Sequence, residues 1–159
     1  LSALDIDGGT DIGEDIVDAD LIIIDNGARK FSQFNIYKNN NFKQIIATES
    51  FEDYETIIKK NFHNYILSVD IANDKILHKN EKYKYLKPSK VISMNIDSVG
   101  RKNGINEKNI SYIRQIFPYS DIIISGGIGC NEDVNRAIGN GFKEIILLTA
   151  ILEKKINLI

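Results

Sequence analysis

Four aspartates stand at or just beyond the ends of short apolar runs: Asp7 after Ala3-Leu4-Asp5-Ile6, Asp25 after Leu21-Ile-Ile-Ile24, Asp70 after Tyr65-Ile-Leu-Ser-Val69, and Asp97 after Lys90-Val-Ile-Ser-Met94-Asn-Ile. A carboxyl group placed at the end of a buried strand can move a proton to or from a substrate, or accept hydrogen bonds from one. Asp70 can equally cap the turn that follows it, and its position alone leaves both uses open. A second kind of chemistry is offered by Ser125-Gly126-Gly127-Ile128-Gly129 ahead of a helix beginning near Asn131. Small residues there let backbone N–H groups face an anion, and the helix N-terminus adds partial positive charge. The same five residues would also serve as a plain strand-to-helix connector. Gly27, Thr48 and Thr149 follow other strands and could add phosphate contacts.

Positioning these groups requires strands, and seven are expected. They are Ala3–Asp7, Leu21–Ile24, Gln44–Ala47, Tyr65–Val69, Lys90–Met94, Asp121–Ile124 and Glu144–Leu148. Their apolar residues are continuous rather than alternating, which suits strands covered on both faces in a parallel sheet. Amphipathic segments lie between them. Phe51–Phe62 carries Phe51, Tyr54, Ile57, Ile58 and Phe62 on one face with Ser50 as N-cap. Glu107–Phe117 has Asn106 as cap and Pro118 as terminator, and Asn131–Ile138 is closed by Gly139 or Gly141. The residues 77–89 read as a loop with one helical turn. Alternating strands and helices make an α/β chain of β-α-β units.

The chain repeats itself. Ile22-Ile-Ile-Asp-Asn-Gly27 returns as Ile122-Ile-Ile-Ser-Gly-Gly127, and Phe42-Lys-Gln-Ile-Ile46 as Phe142-Lys-Glu-Ile-Ile146, both displaced by 100 positions. Asp5-Ile-Asp7 returns as Asn95-Ile-Asp97 after 90. Three echoes in one order point to duplication. Residues 1–62 then form the remainder of one half and residues 63–159 the second half of a single incomplete domain. Its natural completion is a (β/α)8 TIM barrel lacking its first strand and helix in this chain. In such a barrel Asp7, Asp25, Thr48, Asp70, Asp97, Ser125 and Thr149 converge on one mouth.

These strand ends resemble those of the histidine-biosynthesis barrels, the phosphoribosylformimino-aminoimidazole carboxamide ribotide isomerase and its cyclase sister. Asp5-Ile-Asp7 is similar to the family's second-strand Asp-Leu-Asp, Asp25-Asn26-Gly27 to Asp-Gly-Gly, and Ala47-Thr48-Glu49 to Gly-Thr-Glu. Ser68-Val-Asp70 resembles the fifth-strand motif, Met94-Asn-Ile-Asp97 the sixth, and Ser125-Gly126-Gly127 the seventh. The resemblance implies an aldose–ketose isomerase of a phosphorylated sugar or ribonucleotide, with Asp70 catalytic. It implies phosphate contacts from Gly27, Thr48, Ser125, Gly126, Gly127 and Thr149, and further substrate contacts from Asp7, Asp25 and Asp97. Met94 replaces the sixth-strand threonine, Leu148 and Ala47 replace glycines, and Asn26 replaces one of a glycine pair. The alternative is therefore a divergent archaeal-type paralogue that binds a phosphorylated metabolite without the family reaction.

Composition bounds the remaining classes. The 159 residues are 43% apolar and 26% charged with a net charge of −2, giving no field for nucleic acid. Lys75–Lys90 carries six lysines around Tyr83 and Tyr85 and reads as a solvated loop. No apolar run has spanning length, one cysteine cannot form an internal disulfide, and a cytoplasmic setting is expected. There is no His or Cys cluster for zinc, and neither metal nor cofactor is expected. His63 reads as a helix C-terminal residue, His78 as a loop residue and Cys130 as packing. The open barrel edges offer self-association through unpaired strands.

Overall fold

The computed structural model describes residues 2–5, 22–34, 42–99, 104–147 and 149–156. Within them, seven parallel strands form one sheet in chain order: β1 (Ser2–Asp5), β2 (Ile22–Asp25), β3 (Phe42–Ala47), β4 (Tyr65–Ala72), β6 (Lys90–Asn95), β7 (Asp121–Ser125) and β8 (Glu144–Ile146). All seven expected strands are present. Helices α1 (Tyr54–Lys59), α2 (Glu107–Ile116) and α3 (Asn131–Gly139) connect successive strands, and α4 (Thr149–Leu152) follows β8. Sequential parallel order with a helical connection between strands is the architecture of a (β/α) barrel wall. Among the described residues no ladder joins β8 to β1.

An eighth strand, β5 (Lys75–Ile76), folds back antiparallel on the end of β4. Asn73 and Asp74 form the two-residue turn with φ of +50° and +57°, the left-handed pair that a tight hairpin requires and that Asn and Asp tolerate. The polar turn is visible in the sequence; a strand of two residues carries no periodicity and is not. The expected helical turn in residues 77–89 is a 3-10 segment, Glu81–Tyr85, capped by the Asn80 side chain on the Lys82 N–H.

The repeat maps onto the sheet with a constant offset. In the parallel order β1, β2 and β3 stand four places before β6, β7 and β8, so all three echoed segments shift by the same four strands. Gly27 and Gly127, equivalent by the repeat, both have positive φ, +61° and +89°.

Alternation along the strands separates two apolar environments. Ile66, Ile92 and Ile123 pack together with Ile23, Ile45 and Met94 on the inner face of the sheet. Leu67, Val69, Ile71, Val91 and Ile46 face outward under the connecting segments. The outer packing around β3 and β4 is aromatic: Phe31, Phe34, Phe51, Phe62, Tyr54 and Tyr65 form a chain of rings with centroids 5.1–6.2 Å apart. Phe51 is fully buried at its centre. Phe51→Ala is expected to cost about 3–5 kcal/mol, because the loss of transfer energy is joined by a cavity the rigid rings cannot fill. The urea midpoint measures this, and an unchanged midpoint would remove Phe51 from the core.

The first helix starts later than its apolar spacing predicts. Ser50 and Phe51 both donate their N–H to the Ala47 carbonyl, at 3.3 and 2.9 Å, and Glu52 donates to the Arg29 carbonyl at 2.9 Å. These contacts hold residues 50–52 in a turn, so the N-cap position passes from Ser50 to Asp53. The Asp53 carboxylate accepts from Thr56 Oγ1 at 2.6 Å and the Phe31 N–H at 3.2 Å. α2 begins as expected, with Asn106 Oδ1 accepting the Asn109 N–H at 3.2 Å. No described helix is long and apolar enough to cross a membrane.

Candidate active site at the strand ends

Four consecutive register partners cross the inner face near the C-terminal ends of the strands: Asp70 of β4, Met94 of β6, Ser125 of β7 and Ile146 of β8. Their parity places them with Ile66, Ile92 and Ile123, one layer above that apolar floor. Asp70 is the acidic member of the row. It lies two residues inside β4 rather than at its end, because the strand continues into the hairpin as far as Ala72.

Asp70 is 4% exposed and held by three donors. Ser68 Oγ, two residues back on the same face, donates to Oδ1 at 2.8 Å. The Glu49 N–H and Thr48 Oγ1, from the turn after β3, reach Oδ2 at 3.2 and 3.3 Å. Three such bonds stabilise an anion, yet burial outweighs them. Loss of hydration pushes the carboxyl up from its ordinary 3.8 to about 6, with the nearby Glu49 charge acting in the same direction. A carboxyl in that range can hold or release a proton near neutrality.

The other expected site residues divide. Ser125 shares the inner row and is 5% exposed. Thr48 is fully buried, and its hydroxyl is committed to Asp70 rather than presented to a ligand: besides donating to Oδ2 it accepts the Asp70 N–H at 3.0 Å. Asp25, exposed at the end of β2, accepts the Gly27 N–H on Oδ1 at 3.2 Å. Asp97 lies in a 3-10 turn (Ile96–Ser98) beyond β6, where Oδ2 accepts the Asn73 N–H at 2.5 Å and ties down the β4–β5 hairpin. Asp5 pairs in register with Asp25. Thr149 opens α4, while Asp7 and Leu148 lie outside the described residues.

The glycine turn after β7 is occupied by the protein itself. Gly127 donates its N–H to the Ser98 carbonyl at 3.1 Å and accepts the Gly104 N–H at 3.0 Å. Gly129 donates to Asp133 Oδ2 at 2.9 Å. In this conformation the N–H groups of both Gly27 and Gly127, the repeat-related pair expected to face phosphate, already have partners. The reason for glycine at Gly126 and Gly127 is close approach: a Cβ would stand 2.6 Å from the Asn95 carbonyl oxygen at the first and 2.4 Å from that of Gly104 at the second. Cys130 caps α3, its thiol donating to Asp133 Oδ2 at 3.5 Å. The Glu132 carboxylate foremost raises the thiol's proton affinity, so it stays protonated and is no activated nucleophile.

Sequence reading left out the part played by Asn73, Asp74 and Lys108. The hairpin bends over the end of β6 and is bridged to α2 by Lys108 Nζ and Asp74 Oδ2, 2.9 Å apart. Beneath it lies a hollow of about 560 Å³ lined by Asp74, Asn95, Asp97, Ser98, Asn106 and Glu107. Among the described residues no group of three or more His, Cys, Asp or Glu side chains is placed to hold a metal.

Comparison with curated proteins finds no match. The model of the family described as "Histidine biosynthesis protein" matches residues 14–157, which takes in every strand from β2 to β8 and the whole row from Asp70 to Ile146. With parallel strands in barrel order and a buried acid on the inner face, the chain belongs to the histidine biosynthesis protein family.

Proposed function

We propose that this protein is an aldose–ketose isomerase-like enzyme acting on a phosphorylated sugar or ribonucleotide, with Asp70 as its general acid–base. The observation that carries the reading is the buried Asp70 carboxyl, on the inner barrel face with its proton affinity raised to about 6. Amadori-type isomerisation moves a proton from C2 toward C1 of an aminoaldose, and a carboxyl that exchanges its proton near neutral pH serves that transfer. Such a reaction uses an acid and a base on opposite sides of the substrate. Asp70 supplies one of them.

A specific feature favours a second reading. Met94 is the direct register partner of Asp70, in the place of the family's threonine, and a thioether neither donates nor takes a proton at neutral pH. Partnered N–H groups at Gly27 and Gly127 act in the same sense, because phosphate would have to displace the Asp25 carboxylate or the Ser98 carbonyl. The second reading is a family member that holds a phosphorylated metabolite and leaves it unchanged. Growth of a histidine-requiring strain lacking the isomerase, supplied with the complete gene, tests the two directly. Rescue is expected for the enzyme, and soluble, folded protein without rescue favours the binding-only form.

A further inference from the structure

The turn after β3 and the middle of β4 are clasped by reciprocal bonds that the proposed chemistry does not by itself require. Thr48 donates its N–H to the Ser68 carbonyl at 2.9 Å and takes the Asp70 N–H on Oγ1 at 3.0 Å. Thr48, Ser68 and Asp70 are all at least nine-tenths buried, at 0, 3 and 4% exposure. Because Thr48 Oγ1 already accepts a backbone N–H, its own hydrogen is free to go to Asp70 Oδ2, where the Glu49 N–H also points.

We infer that Thr48 is a positioning residue, whose hydroxyl together with the Glu49 N–H makes Oδ2 of Asp70 a permanent acceptor, so that the exchangeable proton rides on Oδ1 opposite Ser68. A proton on Oδ2 would face the Glu49 N–H, a backbone donor that cannot reverse, and would need the Thr48 hydroxyl, which already accepts the Asp70 N–H, to give up its own bond to the carboxyl. On Oδ1 it meets Ser68 Oγ at 2.8 Å, and a hydroxyl can turn from donor to acceptor as the acid gains its proton. Thr48 therefore binds the anion in preference, whereas Ser68 pairs with either form. This assigns to Thr48 a part different from a phosphate contact. Its catalytic meaning rests on the acid–base role proposed for Asp70, but the bonding pattern does not. The titratable groups acting on Asp70 from the surrounding elements are Glu49 of the β3 turn and Tyr54 of α1, and both remain in place in the variants below.

The test is a substrate-free titration of the Asp70 carboxyl carbon by NMR. Thr48→Val is expected to raise the midpoint from about 6 by about one pH unit, the size of one lost hydrogen bond to a charge. Thr48→Ser, which keeps the hydroxyl, should titrate like the parent, and Ser68→Ala should move the midpoint less than Thr48→Val does. Should Thr48→Val not fold, the comparison runs between Ser68→Ala, Thr48→Ser and Thr48→Ala. An unchanged midpoint on removing the Thr48 hydroxyl, or a larger rise in Ser68→Ala, overturns the inference. Since no substrate is present, a protein that turns over no sugar can still give the expected result, and a working isomerase can still give the opposing one.

Discussion

Asp70→Asn is expected to lower turnover by about 10²- to 10⁴-fold, the usual contribution of a positioned acid–base group, and at the same time to make the fold more stable at neutral pH. The two effects have one origin. Burial gives the folded carboxyl a proton affinity near 6 against 3.8 for an ordinary one, so between those values the folded chain binds more protons than the unfolded chain. For a group shifted upward, stability is fully present below the unfolded value and is lost as pH rises through the folded value. Asp70 therefore costs the fold about 2–3 kcal/mol at pH 7, and that cost is absent below about pH 4. The amide is isosteric and fits: its oxygen can accept from Glu49 and Thr48, and its NH₂ can donate to Ser68 Oγ. Urea denaturation from pH 4 to 7 should show the parent losing stability across the window and the variant staying flat in that respect. Equal pH dependence in both would remove Asp70 as the buried titrating acid, and unchanged turnover in the complete protein would remove it from catalysis.

The second large effect lies at the glycine turn. Gly127→Ala puts a Cβ 2.4 Å from the Gly104 carbonyl oxygen and 3.4 Å from Ser98 Cβ, at a residue whose φ is +89°. The obstructing atom is backbone and belongs to a segment hydrogen-bonded to Gly127 in both directions, so it cannot retreat without losing the Ser98 and Gly104 bonds. A loss of about 4 kcal/mol or more is expected, from left-handed strain, steric overlap and two hydrogen bonds together. The repeat supplies the control. Gly27 has φ of +61° but open space around a Cβ, so Gly27→Ala should cost only about 1 kcal/mol. Chemical denaturation of the two variants side by side measures the contrast; similar losses would mean the β7 turn is not held under the loop after β6.

That contrast marks the boundary between what the two repeated segments share and what their neighbours impose. The equivalence of residues 22–27 and 122–127 is legible from the residues, and the structure adds the positive φ shared by their last glycine. Why Gly126 and Gly127 tolerate no side chain is not legible, because the obstructing carbonyls belong to Asn95 and Gly104, which are 31 and 23 residues away in the chain from Gly126 and Gly127 respectively. The same holds for Thr48. As a residue after an apolar run it reads as a candidate phosphate contact; only pairing of β3 with β4 in a register joining Ala47 to Ser68 turns it toward Asp70.

By itself the sequence determined the strands, their parallel order and the chemical types at their ends. Continuous β-branched runs and amphipathic connectors encode those features within windows of ten residues or so. Asn106 as the α2 cap rests on local pattern, and family membership on the strand-end motifs taken together; an acid–base role for Asp70 is what the resemblance implies. Tertiary structure decided which polar groups are free and which are spent. Asp25 and Asp97 bind backbone N–H groups, Thr48 serves a carboxyl on the next strand, and burial sets the proton affinity of Asp70. Hydrogen-bond partners and desolvation depend on residues brought together from distant parts of the chain, so no local spacing can specify them.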